Sequence, residues 1–366
     1  MAATKTSPVP SLRYVSDEEP GYHRLKWGRG FTYRDWEGKC VKDKALRKRF
    51  KALVIPPFWE DVWICRADNG HLLCTGRDAA GRKQYIYHPT WIAYRKLQKF
   101  ERTQVFAEHL PHLRRTTRAH LQHPVWDKEK VLALIVQVLD EVALRIGNKQ
   151  YAKRNSTYGL TTLRRKHLAV QGDDLVFEYK AKSNKRREVH IDDEELMRLI
   201  RDCSELPGYE VFRYRDADGK TQPVDSHDVN EYLRGLTGEH LYCKDFRTWA
   251  GSRLAVEFYP EAERLIAEGK SSKQLLNLVI ESVAAELGNT PSVCREYYIH
   301  PSILQAVETE SIPPLGSVTA RERRRYDGEL DDVELLTVRL MDAQAAFERL
   351  EEEAEERAEA AAARAS

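Results

Sequence analysis

The chain has 366 residues, enough for two domains that each bury a core, and its 59 Lys and Arg against 57 Asp and Glu leave a formal charge of only +2. The last stretch, AFERLEEEAEERAEAAAARAS, carries net −4, so the rest of the chain stands at +6, the sign expected for a polyanionic partner. Six cysteines stand far apart with no C-x-x-C pair, the N-terminus has no apolar signal core, and no 18 apolar residues run together; a zinc ribbon, a secreted disulfide scaffold and a membrane span are all unexpected, and a cytoplasmic protein with reduced thiols is predicted.

In chain order, residues 1–20 are rich in Pro, Ser and acid and read as disordered. From 21 to 108 the text breaks into short aromatic and β-branched runs, GFTYRDW, DVWIC, HLLCTG and KQYIYH, separated by turn signals such as ADNG and DAAG, which predicts a small antiparallel β domain. PHLRRTTRAHLQHP reads as a basic connection. After it, Val131, Leu134, Ile135, Val138 and Val142 recur at one-face helical spacing and open a mostly α-helical domain over 109–316. Inside that domain DDLVFEYK and REVHIDD alternate like strands around a polar SNKR tip, a β-hairpin. DEELMRLIRDC, VNEYLRGL, FRTWAGSRLAVEFY and SKQLLNLVIESVAAEL return to helical patterns. Residues 317–366 read as a charged helical tail, solvated along its length. The fold class expected is thus α+β.

Several chemistries lack their physical requirements. Gly269, Lys270 and Ser271 match the end of a phosphate-binding loop, but Arg264 takes the place of its first glycine and a helix pattern precedes it. The adjacent acids Asp173/Asp174, Asp192/Asp193 and Asp331/Asp332 point apart on strand or turn text, so a metal site is not expected.

NTPSVCREYYIHP, residues 289–301, is more informative. Thr290 and Pro291 suit an N-cap and first helical position, so 292–299 should form a short helix in which Tyr297 and Tyr298 point about 100° apart, and only one can face a given site. A phenol with pKa about 10 needs nearby cations to act as a nucleophile at neutral pH. Arg145 and Arg247 are candidates, each with an ordinary alternative: Arg145 as a cation at a helix end, Arg247 as a surface ion-pair residue. Lys182 alone reads as a solvated turn lysine.

In order, LRIGN, STYGLTTLRRKHL, YKAKSNK, KDFRTWAGS and LGNTPSVCREYY resemble the poxvirus-like (bacterial-type) DNA topoisomerases of type IB, and LVIPPFWEDVWIC and HLLCTGRDAAGRKQYIYH resemble that family's amino-terminal domain, so the resemblance covers both domains, from about Tyr22 to about Leu304. The resemblance implies a monomeric, C-shaped clamp on double-stranded DNA that works without ATP or metal, in the nucleoid of a bacterial cytoplasm. It implies Tyr298 as nucleophile, Arg145 and Arg247 as the catalytic arginines, and Lys182 as general acid, with Lys180 and Lys185 as neighbouring choices. It further implies Lys244 in proton transfer and Asn289 where the family often has His. The lysine loop reads AKSNK where many relatives have glycine before the lysine. Gln84, Tyr85 and Tyr87 would touch DNA; the two tyrosines share a strand face, and the alternative is that they cover a core. Lys149, Tyr151 and Lys153 fall in a DNA-contacting segment of relatives, or form a solvated basic loop. A tyrosine recombinase shares the Arg, Lys, Arg, Tyr set, but normally has His where this chain has Lys244 and a helical clamp instead of β text.

Overall fold

The computed structural model describes residues 11–271 and 273–343, with only the backbone of 151 and 183, and the chain divides into two units between Glu101 and Arg102. In the first, β1 (Tyr22–Trp27), β2 (Gly30–Arg34), β3 (Glu60–Ile64), β4 (Leu72–Arg77) and β5 (Lys83–Tyr87) form an antiparallel sheet in the order β2-β1-β3-β4-β5. The four runs read as strands supply β2 to β5; β1 was not singled out. Between β2 and β3 lies α1 (Lys44–Ala52), started by the Asp43 side chain, which accepts from the amides of Ala45 and Leu46. It drops Phe50 onto Tyr33, Val62, Ile64 and Cys74.

Contacts begin at Arg13, ahead of the boundary that composition set near residue 20. Arg13 bridges to Gly70, Val15 is buried, and the Trp63 indole donates to the Glu19 carbonyl at 2.9 Å. The prolines of IPPFW sit on a loop gripped from beneath by buried Arg24, which donates to the carbonyls of Ile55, Pro56 and Trp59, each at 2.9 Å.

The segment read as a basic connection is instead part of α2 (Pro89–Leu121), a helix of 33 residues that crosses the division and runs through Pro111. Phe106, Leu110 and Leu113 bury one side of it, and that burial outweighs the hydrogen bond the proline removes.

In the second unit α3 (Lys128–Val142) is the central element, with eight of its side chains buried. α4 (Lys149–Asn155) follows, then β6 (Leu168–Gln171), β7 (Asp174–Lys180) and β8 (Arg186–Ile191) in a three-stranded antiparallel sheet. The predicted hairpin is β7 and β8, paired from Leu175↔Ile191 to Lys180↔Arg186; β6 is an addition. Then come α5 (Glu194–Ser204), the small pair β9 (Arg213–Arg215) and β10 (Thr221–Pro223), α6 (Ser226–Thr237), α7 (Cys243–Ala267), α8 (Leu275–Leu287), α9 (Pro291–Tyr297), α10 (Pro301–Glu308), α11 (Ala320–Arg325) and α12 over 332–343.

The solvated tail is a correction. Val318, Tyr326, Leu330, Leu335, Leu336 and Met341 join the main core. Arg114 of α2 binds Asp140 of α3 and Glu334 of α12, both at 2.7 Å, and these carboxylates hold its pKa above the usual guanidinium range against the cost of burial. The Glu-rich stretch past 343 lies outside the described residues, as do residues 1–10. Among the described residues all six cysteines are free, and no helix is long and apolar enough to cross a membrane. The architecture is α+β: an antiparallel β unit, then a mostly helical unit with small sheets.

Candidate active site

The site assembles within the second unit, beginning where α3 ends. Ala143 takes a left-handed conformation (φ 45°) and turns the chain so that Arg145 leaves the helix axis. Gly147 (φ +93°) and Gly159 then meet backbone to backbone; a Cβ on Gly159 would lie 2.5 Å from the Arg145 carbonyl oxygen. The amides of Leu160 and Thr161 donate to the carbonyls of Arg145 and Ile146 at 2.9 and 2.8 Å. LRIGN and STYGLTT, separate in the sequence, are therefore one interlocked piece that fixes the backbone of Arg145. The helix-end reading of this arginine fails, because Arg145 Nη2 donates to Asn289 Oδ1.

Arg247 projects from α7 into the same region. It is 4% exposed, which overturns the surface ion-pair alternative. Its Nη1 donates to the Ala143 carbonyl and its Nη2 to that of Leu287 at 2.8 Å, while Nε is buried without a partner. Burial lowers its pKa, the nearby Arg145 lowers it further, and the Tyr298 phenol opposes both. Neither arginine pairs with a carboxylate among the described residues. Two guanidiniums close enough to repel, one sealed from water, make a site that an anion would complete.

Asn289 and Tyr298 arrive on one short stretch. α8 closes at Gly288 (φ +60°), Thr290 caps α9 and Pro291 is its first residue, as the sequence predicts. The Asn289 amide nitrogen, Nδ2, is buried with no oxygen to donate to, apart from its approach to the Cys294 thiol. The helix stops at Tyr297, and Tyr298 caps it. Tyr297 is 42% exposed, whereas Tyr298 turns inward, its ring centre 5.3 Å from the Arg247 guanidinium carbon.

The tyrosine is set by residues that the sequence did not single out. Four residues after Arg247, on the same face of α7, Gly251 lets the Tyr298 backbone come so close that a Cβ would lie 2.5 Å from its carbonyl oxygen. Next to it, Ser252 Oγ donates to the Thr248 carbonyl at 3.2 Å, lies 3.5 Å from the Tyr298 carbonyl oxygen and accepts from the His300 amide at 3.0 Å. The available signal was a Gly-Ser pair one turn after the arginine.

Lys182 stays outside this group. It lies in the Lys182–Asn184 turn joining β7 to β8, its side chain exposed like those of Lys180 and Lys185. The Ala181 amide closes the turn on the Lys185 carbonyl at 2.8 Å, and the Tyr158 amide ties the Lys180 carbonyl to the Arg145 interlock at 2.8 Å. Lys244, one turn before Arg247, is exposed, with its Nζ 4.9 Å from the Tyr242 ring centre.

In the first unit, Tyr85 and Tyr87 share a strand face and stack, with centroids 5.8 Å apart. The core alternative holds for one of them: Tyr87 packs on the Val15, Trp63, Cys65 and Leu72 cluster, while Tyr85 is 47% exposed. Gln84 donates to Asp78 at 2.9 Å. In the second unit Lys149 lies 3.6 Å from Asp225, Lys153 is exposed, and the Tyr151 side chain lies outside the described residues. Among the described residues no cluster of His, Cys, Asp or Glu could hold a metal ion.

Comparison with known proteins gives two matches to families. Residues 88–313 match the catalytic core of eukaryotic DNA topoisomerase I, and residues 30–78 match the N-terminal domain of bacterial DNA topoisomerase IB. Among curated proteins, DNA topoisomerase 1B of Acanthamoeba polyphaga mimivirus is 28% identical over 285 residues, covering 76% of this chain and 85% of the viral protein. DNA topoisomerase 1B of Vaccinia virus (strain Copenhagen) is 24% identical over 306 residues, covering 80% and 92%.

Proposed function

The chain belongs to the type IB DNA topoisomerases and has that family's activity on DNA, and we propose that this activity runs through Tyr298, with Arg145, Arg247, Asn289, Lys182 and Lys244 serving it. The observation that carries the assignment is the pair of arginines without carboxylates gathered on that tyrosine and on Asn289.

In this reading Tyr298 gives up its phenolic proton to solvent, and its oxygen attacks one phosphorus of duplex DNA. A P–O bond to tyrosine forms, the P–O5′ bond breaks, and the strand keeps a 3′-phosphotyrosyl end. Charge grows on the two non-bridging oxygens as the phosphorus becomes five-coordinate. Arg145 and Arg247 are held by backbone and amide groups before substrate arrives, so little reorganisation is needed to meet that charge. Asn289 Nδ2, a buried donor without an oxygen acceptor, supplies a neutral hydrogen bond to the same oxygens. The departing 5′ oxygen needs a proton, which Lys182 delivers from the hairpin tip with Lys244 assisting.

One ester replaces another, so the cut stores the bond energy that religation returns, and torsional strain drives rotation of the free end. Neither ATP nor a metal ion enters this cycle. The enzyme acts as a monomer in the bacterial cytoplasm, on the nucleoid. Gln84, Tyr85 and Tyr87 of the first unit and Lys149, Tyr151 and Lys153 of the second supply contacts to the duplex, mainly to phosphate, so affinity falls steeply with salt.

The test is covalent capture on a suicide duplex together with plasmid relaxation in EDTA without ATP. Wild type and Tyr297→Phe should form the adduct and relax the plasmid; Tyr298→Phe should do neither. Adduct formation by Tyr298→Phe would overturn the assignment.

A further inference from the structure

Arg187 lies on β8, opposite Tyr179 of β7, five residues after Lys182 on the same hairpin. Its guanidinium leaves the sheet and reaches the C-terminal end of α8, where Nη1 donates to the Ala285 carbonyl at 3.2 Å and Nη2 to the Glu286 carbonyl at 2.7 Å. The next carbonyl, Leu287, receives Arg247. The residue after that is Gly288, whose missing Cβ leaves room for Arg187: the added carbon would lie 2.5 Å from Nη1. Then comes Asn289, which holds Arg145.

Three successive carbonyls at the negative end of a helix thus take up arginines from two other elements. Arg187 has no carboxylate partner among the described residues. It spends its two terminal nitrogens on a single helix end, and it pairs across the strands with Tyr179, whose phenol burial pushes up in pKa while the charges of Arg187, Arg247 and Arg145 oppose that rise. A helix C-terminus is commonly closed by a glycine cap, by water or by a solvent-facing cation, and α8 has the glycine cap, the Gly288 amide donating to the Ala285 carbonyl at 3.1 Å. Here a further donor comes from the hairpin whose tip carries Lys182, and the acceptor adjoins the residues that grip phosphate.

We propose that Arg187 is a positioning residue for the strand-transfer reaction: it braces the Lys182 hairpin against the end of α8, so that the lysine is held over the oxygen leaving the phosphate bound by Arg145, Arg247 and Asn289. The proposal rests on the reading of Lys182 as general acid. A brace of this kind matters to proton delivery and not to DNA affinity or to stabilisation of the five-coordinate phosphorus. That separates it from a residue that merely supports the fold.

The experiment compares single-turnover cleavage of two suicide duplexes, one with the normal 5′-bridging oxygen and one with sulfur at that position. A thiolate leaves without a proton, so the sulfur ester does not need the general acid. Arg187→Ala should cleave the oxygen ester slower by about 10- to 100-fold, less than the roughly 100- to 10,000-fold that a positioned acid supplies, and the sulfur ester within about 3-fold of wild type. Arg187→Lys keeps the charge and one carbonyl contact; it should fall between the two on oxygen, be rescued by sulfur, and serve if the alanine variant folds poorly. In a Tyr298→Phe background, Arg187→Ala should leave duplex affinity unchanged.

Equal slowing on both esters, or no slowing on either, overturns the proposal. Lys182→Ala is run beside them. If sulfur fails to rescue Lys182→Ala, the reading of that lysine is wrong, while the Arg187 variants still report whether the brace serves proton delivery.

Discussion

Arg145 and Asn289 share a hydrogen bond in which the amide oxygen takes a guanidinium proton, leaving the Asn289 nitrogen buried without an oxygen acceptor. The amide nitrogen is thereby left on the buried side, beside the Cys294 thiol, as a donor that a phosphate oxygen would satisfy. Asn289→Asp should invert this. A carboxylate of the same shape would pair with Arg145 and occupy the anion's place. Cleavage should fall by about 100-fold or more, while the free protein gains about 1–2 kcal/mol from a charged hydrogen bond. Adduct kinetics and thermal unfolding measure the two together, and full activity in the stabilised variant would refute the phosphate role.

Gly251 sets a local rule against a tertiary one. Glycine within a helix ordinarily costs about 0.5–1 kcal/mol relative to alanine, so Gly251→Ala would be expected to stabilise α7. The added carbon meets the Tyr298 backbone instead. The variant should lose stability and displace Tyr298, the proposed nucleophile, lowering the single-turnover rate by about 10-fold or more, with duplex affinity kept. A stabilised, fully active Gly251→Ala would show that the contact relaxes freely.

His167 and His300 are both buried, and loss of water pushes the pKa of each down to about 4; Lys166 and Arg164 add repulsion at His167. In the unfolded chain each returns to about 6.5. The unfolded state therefore binds more protons between pH 6.5 and 4, and the stability present above that window is lost as pH falls through it, up to roughly 3 kcal/mol per histidine. The melting temperature should drop over this range. His300→Asn, which can still cap α10, should flatten the slope; parallel curves for the variant and wild type would exclude His300 as a source.

Leu336 of α12 is fully buried in the main core. Leu336→Ala should cost about 2–5 kcal/mol, measured by denaturant unfolding, whereas a leucine on a solvated tail would lose almost nothing. Relaxation activity per folded molecule should stay near wild type.

Much of the architecture is legible in residue order because local periodicity carries it. The alternation of DDLVFEYK and REVHIDD finds the hairpin, and the spacing of Val131, Leu134, Ile135 and Val138 finds α3. What escapes depends on partners distant in the chain. Pro111 and its neighbouring arginines look like a break until Phe106 and Leu110 are seen to be buried. The charge beyond residue 343 hides the apolar face of α12. Arg145, Arg247 and Tyr298 stand out as residue types that suit phosphate chemistry, and their order supplied the family. Gly251, Ser252 and Arg187 do not stand out, since each acts by fitting a backbone contributed from another segment, which no spacing rule encodes.

The contact of Gly147 with Gly159 also pinches off everything between them. Residues 148–158, with α4 and its lysines, form a closed loop whose two ends are stitched together beneath Arg145. The stitch under the guanidinium does not depend on how many residues the loop holds. The outline of the loop and the placing of Arg145 are thus set by separate contacts.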